Sequence, residues 1–459
     1  MDATPAERTA EERAHTPVFV QGSTMRHVLV MTGTGAAGLI AIFIVDLVSL
    51  LYISWLDDPS MTAGVGLATV VMFFTVSINV GLMIPIGALV SRALGARQSD
   101  DARRLATSGT LLMAAIGAVV SLLTLPFLPQ ILGAMGASGS AYDVARSFLW
   151  IALPTNALMS VGMAFSTVLR AAGDAKRSMY ATLSVAIVTV LLDPITIFVL
   201  DLKADGAALT ISLARVVYFY VGYVYVTRAH RLLARPALQS VVRDARPFFA
   251  IAIPAILTNL AAPAANAFFT SIMAQFGDQA IAASAIIDRV VPVSFAGVFA
   301  LAGAIGPVLG QNWGARRYDR MKQTLKDSLT FMIAYVLGVW LLLFLLQDLV
   351  VIAFNAPPLT AELVKFFCQL SGFIWFFVSL VFVANASFNN LGYPLLSTLF
   401  NWGRATLGMI PFAYFGAQVG GPKGALLGIG AGSIVFGIAA IITAFWTIRR
   451  LERQAVPIP

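Results

Sequence analysis

Charge is scarce in this chain of 459 residues: Asp, Glu, Lys and Arg make up 11% of it, against 59% hydrophobic residues. An ordinary soluble domain carries roughly a quarter charged residues, and no soluble fold of this length hides so much apolar surface. Cysteine is nearly absent as well. Cys368 is the only one and lies in an apolar run, which excludes an intrachain disulfide and makes it an expected core residue. The three histidines, His15, His27 and His230, fall in the N-terminal segment, at a helix edge and in a basic loop. No cluster of His, Cys and carboxylates is left to hold a catalytic metal. No G-x-x-x-x-G-K-[ST] phosphate loop occurs, the run at Gly421-Pro422-Lys423 being too short, which disfavours a primary pump. Residues 1–26 lack the basic start, apolar middle and small-residue site of a secretory signal; they are polar, carry Pro5 and Pro17, and are expected to form a mostly disordered cytoplasmic tail.

What the chain does have is long apolar runs. A hydrocarbon core of about 30 Å needs roughly 20 residues of helix to cross, and the runs lack the period-two alternation of barrel strands, so helices are expected. Hydropathy places spans near 27–56, 63–90, 107–127, 145–170, 179–200 and 207–227, then near 248–275, 281–310, 327–347, 362–389, 395–416 and 425–448. The fold class expected is therefore an all-α membrane protein with twelve transmembrane helices. Lys and Arg concentrate on the cytoplasmic side of bacterial inner-membrane proteins. Here 23 of the 30 fall in alternate connections: the N-terminal segment, 92–104, 170–177, 228–246, 316–326 and 449–453. The opposite loops hold only Lys203, Lys365 and Lys423, while Arg146, Arg215, Arg289 and Arg404 lie within or at the edge of spans. Both termini are expected in the cytoplasm. The net charge of +8 follows from this topology and an anionic inner leaflet, with no need for nucleic acid.

The chain also repeats itself. Gly95-Ala96-Arg97 after the second span recurs as Gly314-Ala315-Arg316 after the eighth, 219 residues on, and Gly173 matches Gly392 at the same offset. Six spans per repeat is an even number, so the halves cross in the same sense, related by an axis along the membrane normal. The expected organisation is a tail (1–26), an N-terminal six-helix bundle (27–227), a basic linker (228–247), a pseudo-symmetric C-terminal six-helix bundle (248–450) and a short tail (451–459), with a central cavity between the bundles.

Three segments carry a family resemblance: SRALGARQSDDARR (91–104), LRAAGDAKRSMYATLSVAIVTVLLDPITIF (169–198) and GQNWGARRYDR (310–320). The chain resembles the multidrug and toxic compound extrusion (MATE) family over nearly its whole length, nearer the proton-coupled, DinF-like branch. The resemblance implies a twelve-helix, two-lobed secondary antiporter that expels amphipathic, often cationic compounds and is driven by protons or sodium.

Intramembrane ionisable groups are where mechanism is sought, since an Asp at the bilayer centre costs about 2.5–3.5 kcal/mol on insertion scales. Asp46 lies in the first span and Asp193 in the fifth, directly before Pro194. Burial favours the protonated form of a carboxyl and a nearby cation its ionised form, so such a group can be poised to exchange a proton. The structural alternative for each is a carboxyl that only fixes helix packing. By resemblance, Asp46 and Asp193 match the two aspartates of the family's N-lobe cation site. There an Asn is expected one turn before the second aspartate; here the position is Thr189, which can hydrogen-bond Asp193 but is a weaker sodium ligand. The family's hydroxyl in the sixth span falls near Thr210 to Ser212. Arg215 follows, where relatives more often carry a neutral residue; it is a candidate counter-ion for Asp193 or Asp46, or else snorkels to an interface. Pro194 is expected to bend the fifth helix.

In the second half the carboxylates of sodium-driven relatives are missing, with Ala262 at one position and no acid between Phe366 and Gly392. Asp288-Arg289 in the eighth span is a further candidate for proton or substrate, with a structural pair near the outer interface as the alternative. Tyr52, one and a half turns past Asp46, is a candidate cation contact. Arg404 resembles an arginine of the family and is assigned no transport role. The functional expectation is export of organic cations in exchange for protons by alternating access. No cofactor, catalytic residue or metal is expected; the coupling ion is H+, with Na+ as the alternative, and a monomer in the lipid bilayer suffices. A lipid or polysaccharide-precursor flippase of related architecture is the other transporter reading. A membrane-embedded enzyme is disfavoured, as the spans hold no nucleophile-base pair or metal cluster.

Overall fold

The computed structural model describes residues 17–455, so Arg8, Arg13 and His15 lie outside the described residues. Among those described there is no strand. Ten helical segments follow in order: α1 (Thr24–Ser54), α2 (Pro59–Gly95), α3 (Ser99–Ala134), α4 (Gly139–Ala171), α5 (Ala175–Val199), α6 (Lys203–Ala229), α7 (Leu238–Ala274), α8 (Asp278–Ser294 and Ala296–Gly314, bent by 47°), α9 (Tyr318–Ala353) and α10 (Pro358–Asn390). Each is long enough to cross a bilayer. Large apolar side chains such as Leu122 (70% exposed), Leu191 (63%) and Ile442 (62%) point outward, as lipid rather than water requires.

The remaining stretch, Pro394–Ala455, is helical for almost all of its length but holds two crossings. At Gly420 and Gly421 the backbone leaves the helical region, with φ/ψ of −124°/15° and 59°/−147°. On either side the chain packs against itself: a Cβ on Gly424 would lie 1.9 Å from Gly416 O, one on Gly428 2.2 Å from Phe412 O, and one on Gly432 1.2 Å from Gly408 O. These pairs are symmetric about Gly420, the signature of a hairpin. Only glycine allows two backbones to approach so closely, as at small-residue seams between transmembrane helices. The hairpin's arms are α11 (394–419), unwound over Thr406–Met409, and α12 (422–455). Twelve spans result, as expected.

The chain falls into two compact units, residues 37–252 with Val18, and Phe19–Ala36 with Ile253 onward. The division differs from the expected one at both edges. The start of α1 and the turn before it belong to the second unit: Phe19 N–H donates to Gln311 Oε1 (2.9 Å), and the Arg320 guanidinium donates to the carbonyls of Phe19, Gln21 and Gly22 (2.9, 3.1 and 2.9 Å). Thr24 Oγ1 donates to Asp327 Oδ2. Residues 19–26, read from sequence as tail, are thus held in place, because their carbonyls meet a single multidentate cation. The linker is also shorter than expected. α6 continues to Ala229, α7 starts at Leu238, and Arg104 bridges Asp101 (2.5 Å) and Asp244 (3.1 Å) across the connection.

The internal repeat extends to backbone conformation. Left-handed residues recur at the 219-residue offset as Arg97 and Arg316 (φ 59° and 56°), Gly136 and Asn355 (79° and 45°), and Gly173 and Gly392 (89° and 83°). Non-glycine residues enter this region at a steric cost of about 1–2 kcal/mol. Both arginines do so to close the same turn, in which Gln98 N–H donates to Ala93 O (2.9 Å) and Arg317 N–H to Asn312 O (2.8 Å). Side-chain contacts repeat as well: Ser166 and Ser178 hydroxyls pair at 2.7 Å, and their counterparts Asn385 and Ser397 meet through Ser397 Oγ donating to Asn385 O (3.3 Å).

Candidate functional site

In the first unit α1, α5 and α6 converge on Asp193. The α-helical part of α5 ends at Asp193-Pro194, and Ile195–Val199 continues as a π turn. The cause is local: Pro194 has no N–H to give, and its ring crowds the carbonyl four residues earlier. The Asp193 side chain, 1% exposed, is placed at this discontinuity. Ser49 of α1 donates to Asp193 Oδ2. The other oxygen, Oδ1, is buried without a well-aligned hydrogen bond, although the Thr210 hydroxyl of α6 also lies close to the carboxylate. A buried acceptor left unbonded costs about 1–3 kcal/mol, and it is the atom able to take a proton or a cation. Thr196, one turn after Asp193, pairs its hydroxyl with that of Thr210 on α6 at 2.8 Å. α6 gets this near because Gly206 lies flush on the π turn; a Cβ there would sit 2.5 Å from Thr196 O.

Asp46 precedes Ser49 by one turn of α1 and is exposed along the helix surface, within electrostatic reach of Asp193. The two candidate aspartates are thus brought into one site. Tyr52, one turn beyond Ser49, packs edge-on against Phe198 of α5 (5.9 Å between centroids). Ser49 and Thr196 were not singled out in the sequence. The available signal was helical spacing, since each lies three residues after a candidate aspartate and so shares its face.

Thr189 and Arg215 do not join the carboxylates. Thr189 Oγ1 donates to Val185 O in its own helix (2.9 Å), a bond always open to a helical threonine. Arg215, 4% exposed, is neither a counter-ion to the carboxylates nor snorkelled: its Nη1 donates to Ala152 O (2.6 Å) and Thr155 Oγ1 (3.1 Å). Pro154 turns α4 into a short 3-10 stretch (Leu153–Thr155) that frees carbonyls. Ser212 Oγ donates to Ile151 O (3.1 Å) and Ser121 Oγ to Leu153 O (2.8 Å), so with Arg215 three side chains donate to three carbonyls at this break, of which Leu153 O also accepts Asn156 N–H and Ala152 O also accepts Thr155 Oγ1.

In the second unit, Asp288 and Arg289 are both exposed on α8 and form no ion pair with each other. Cys368 is fully buried, as expected of a packing residue. No group of three or more His, Cys, Asp or Glu able to hold a metal occurs among the described residues.

The MatE family model matches residues 36–195 and 254–415 of this chain, one segment in each half. The chain belongs to the MATE family. It is 25% identical over 429 residues to a Shewanella oneidensis protein named FAD transporter, covering 91% of this chain and 94% of that one. It is 26% identical over 291 residues to the Staphylococcus aureus multidrug export protein MepA, covering 62% of this chain and 63% of that one. Among solved structures it resembles a multidrug resistance MATE transporter in an outward-facing conformation (TM-score 0.89, 20% identity, 95% of this chain and 98% of that one). A variant of the Vibrio cholerae MATE transporter VcmN is equally similar in fold (TM-score 0.89, 21% identity, 94% and 99%). This MATE protein is therefore a multi-pass membrane transporter and not an enzyme.

Proposed function

We propose that the protein exports amphipathic organic cations in exchange for protons by alternating access, as a monomer in a bacterial inner membrane with both termini in the cytoplasm. The observation that carries this reading is the buried Asp193, one oxygen held by Ser49 and the other unbonded, with Asp46 a turn away. When both are ionised, the two carboxylates attract an organic cation. Protonation at Asp193 Oδ1 and at Asp46 removes that attraction and releases the cargo, and deprotonation on the other side restores it. The Arg-rich connections support the orientation.

Sodium is the competing coupling ion, since the site offers only oxygen ligands. Against it, Thr189 spends its hydroxyl on its own helix. The test is uptake of ethidium into inside-out vesicles under an imposed proton gradient or an imposed sodium gradient. The reading requires uptake with protons alone; uptake with sodium alone overturns it. A second reading of the cargo follows from the FAD transporter relative, which aligns over nearly all of both chains: an anionic dinucleotide, tested in the same vesicles by FAD uptake.

A further inference from the structure

α11 carries a cation that nothing in the described structure uses. Arg404 lies two residues before the unwound stretch at Thr406–Met409 and is partly buried. Its Nε is sealed from solvent without a hydrogen bond, and no hydrogen bond or ion pair joins its guanidinium to any described residue. A charge so placed is costly unless a partner arrives.

None of the unit's described carboxylates pairs with it. Asp348 pairs with Lys365 (2.5 Å), Glu362 with Lys423 (2.6 Å), Glu452 with Lys322 (2.6 Å) and Asp319 with Arg317 (3.2 Å), Asp327 accepts from Gln323 (2.8 Å), and the exposed Asp278 and Asp288 form no ion pair with it. Nor is the arginine capping the break beside it. Thr406 N–H and Oγ1 donate to Trp402 O (2.8 and 2.6 Å), and Gly408 N–H donates to Gly403 O (2.9 Å). In the first unit, by contrast, Arg215 is committed to just such a task at the α4 kink.

Spacing puts Arg404 on the face of α11 that carries Ser397 and Phe400. That face meets α10, where Phe400 stacks on Phe388 (5.6 Å, 12°) and Ser397 reaches Asn385. On the same seam Asn385 Oδ1 is buried and unbonded. A guanidinium presents paired donors that match a carboxylate or phosphate, and discontinuous transmembrane helices are where transporters hold charged cargo.

We propose that Arg404 recognises an anionic group, carboxylate or phosphate, on a molecule that also offers a hydrogen-bond donor, borne either by transported cargo or by a phospholipid headgroup. This rests on the export reading and extends it to zwitterionic or anionic cargo.

The test uses the full-length protein in phosphatidylcholine nanodiscs, with FAD as the anionic probe and ethidium as the cationic one. Arg404→Gln is expected to weaken FAD binding about 10- to 100-fold and Arg404→Lys less, with ethidium binding and melting temperature unchanged in both. If FAD is unaffected but Arg404→Gln retains less phosphatidylglycerol than wild type in native mass spectrometry, the anion is a headgroup. If neither changes, or if Arg404→Lys and Arg404→Gln weaken both probes equally, the assignment is overturned. Loss of ethidium binding in the wild type would instead count against the cation-export reading and leaves the Arg404 comparison readable with FAD.

Discussion

At the scale of single residues, the proposed coupling turns on which hydroxyls reach Asp193. Ser49 does, Thr210 lies close, and Thr189 does not, although the sequence offered Thr189 first. Ser49→Ala is expected to reduce proton-driven ethidium transport about ten-fold, the loss of one hydrogen bond to a charged group. Thr189→Val is expected to leave it within two-fold; vesicle uptake rates check both. A second carboxylate gives a prediction about stability. Asp174, in the connection between α4 and α5, is partly buried, which alone would raise its proton affinity. Hydrogen bonds from His230, from Arg177 N–H and from the Arg177 guanidinium outweigh this and hold it at about 2 instead of 3.8. A carboxyl lowered in the folded state stabilises the fold above its ordinary value and loses that contribution as pH falls through the folded one. Melting temperature in detergent should therefore drop between about pH 4 and pH 2, by the equivalent of about 1 kcal/mol after solvent screening. Asp174→Asn should lack that step.

At the scale of elements, breaks in helices decide where the chemistry goes. Pro194 ends the α-helical part of α5 at Asp193, and Pro154 opens α4 so that its carbonyls take up Arg215, Ser212 and Ser121. The first was legible in the sequence, because proline beside an intramembrane acid says both where and why. The second was not: a mid-span arginine reads as a counter-ion, and nothing in a linear pattern shows that a neighbouring helix has carbonyls to cap. Arg215→Met should accordingly lower the melting temperature by an amount equivalent to about 1–3 kcal/mol, with no change of coupling ion. The α11–α12 hairpin was likewise hidden, as hydropathy marked two spans but not how closely they pack. Gly432→Val places a side chain onto Gly408 O and should abolish a monodisperse peak in fluorescence-detected size exclusion. Gly303→Ala, with nothing within 4 Å, should leave the peak unchanged.

At the scale of the whole molecule, the repeat found as two short matches in sequence reaches into backbone conformation, with three left-handed pairs at one offset. Composition and the spacing of apolar runs dictated twelve crossings, because lipid leaves a chain few alternatives. The edges of the two units were less legible. Residues 19–26 look like a polar tail, yet Arg320 gathers their carbonyls and fastens them to the second unit. Polarity does not distinguish a solvated segment from one bonded to a cation 300 residues away. The chemistry of the two units is unequal despite the shared fold: the first buries a carboxylate with an open oxygen, while the second holds an uncommitted guanidinium. The central claim is that carboxylates in the first unit exchange protons for a cation. Its most direct test is proton release from purified, detergent-solubilised protein on addition of ethidium, followed with a pH indicator in weakly buffered solution. The account predicts release by wild type and a reduced or absent signal for Asp46→Asn and Asp193→Asn; release undiminished in both variants would contradict it.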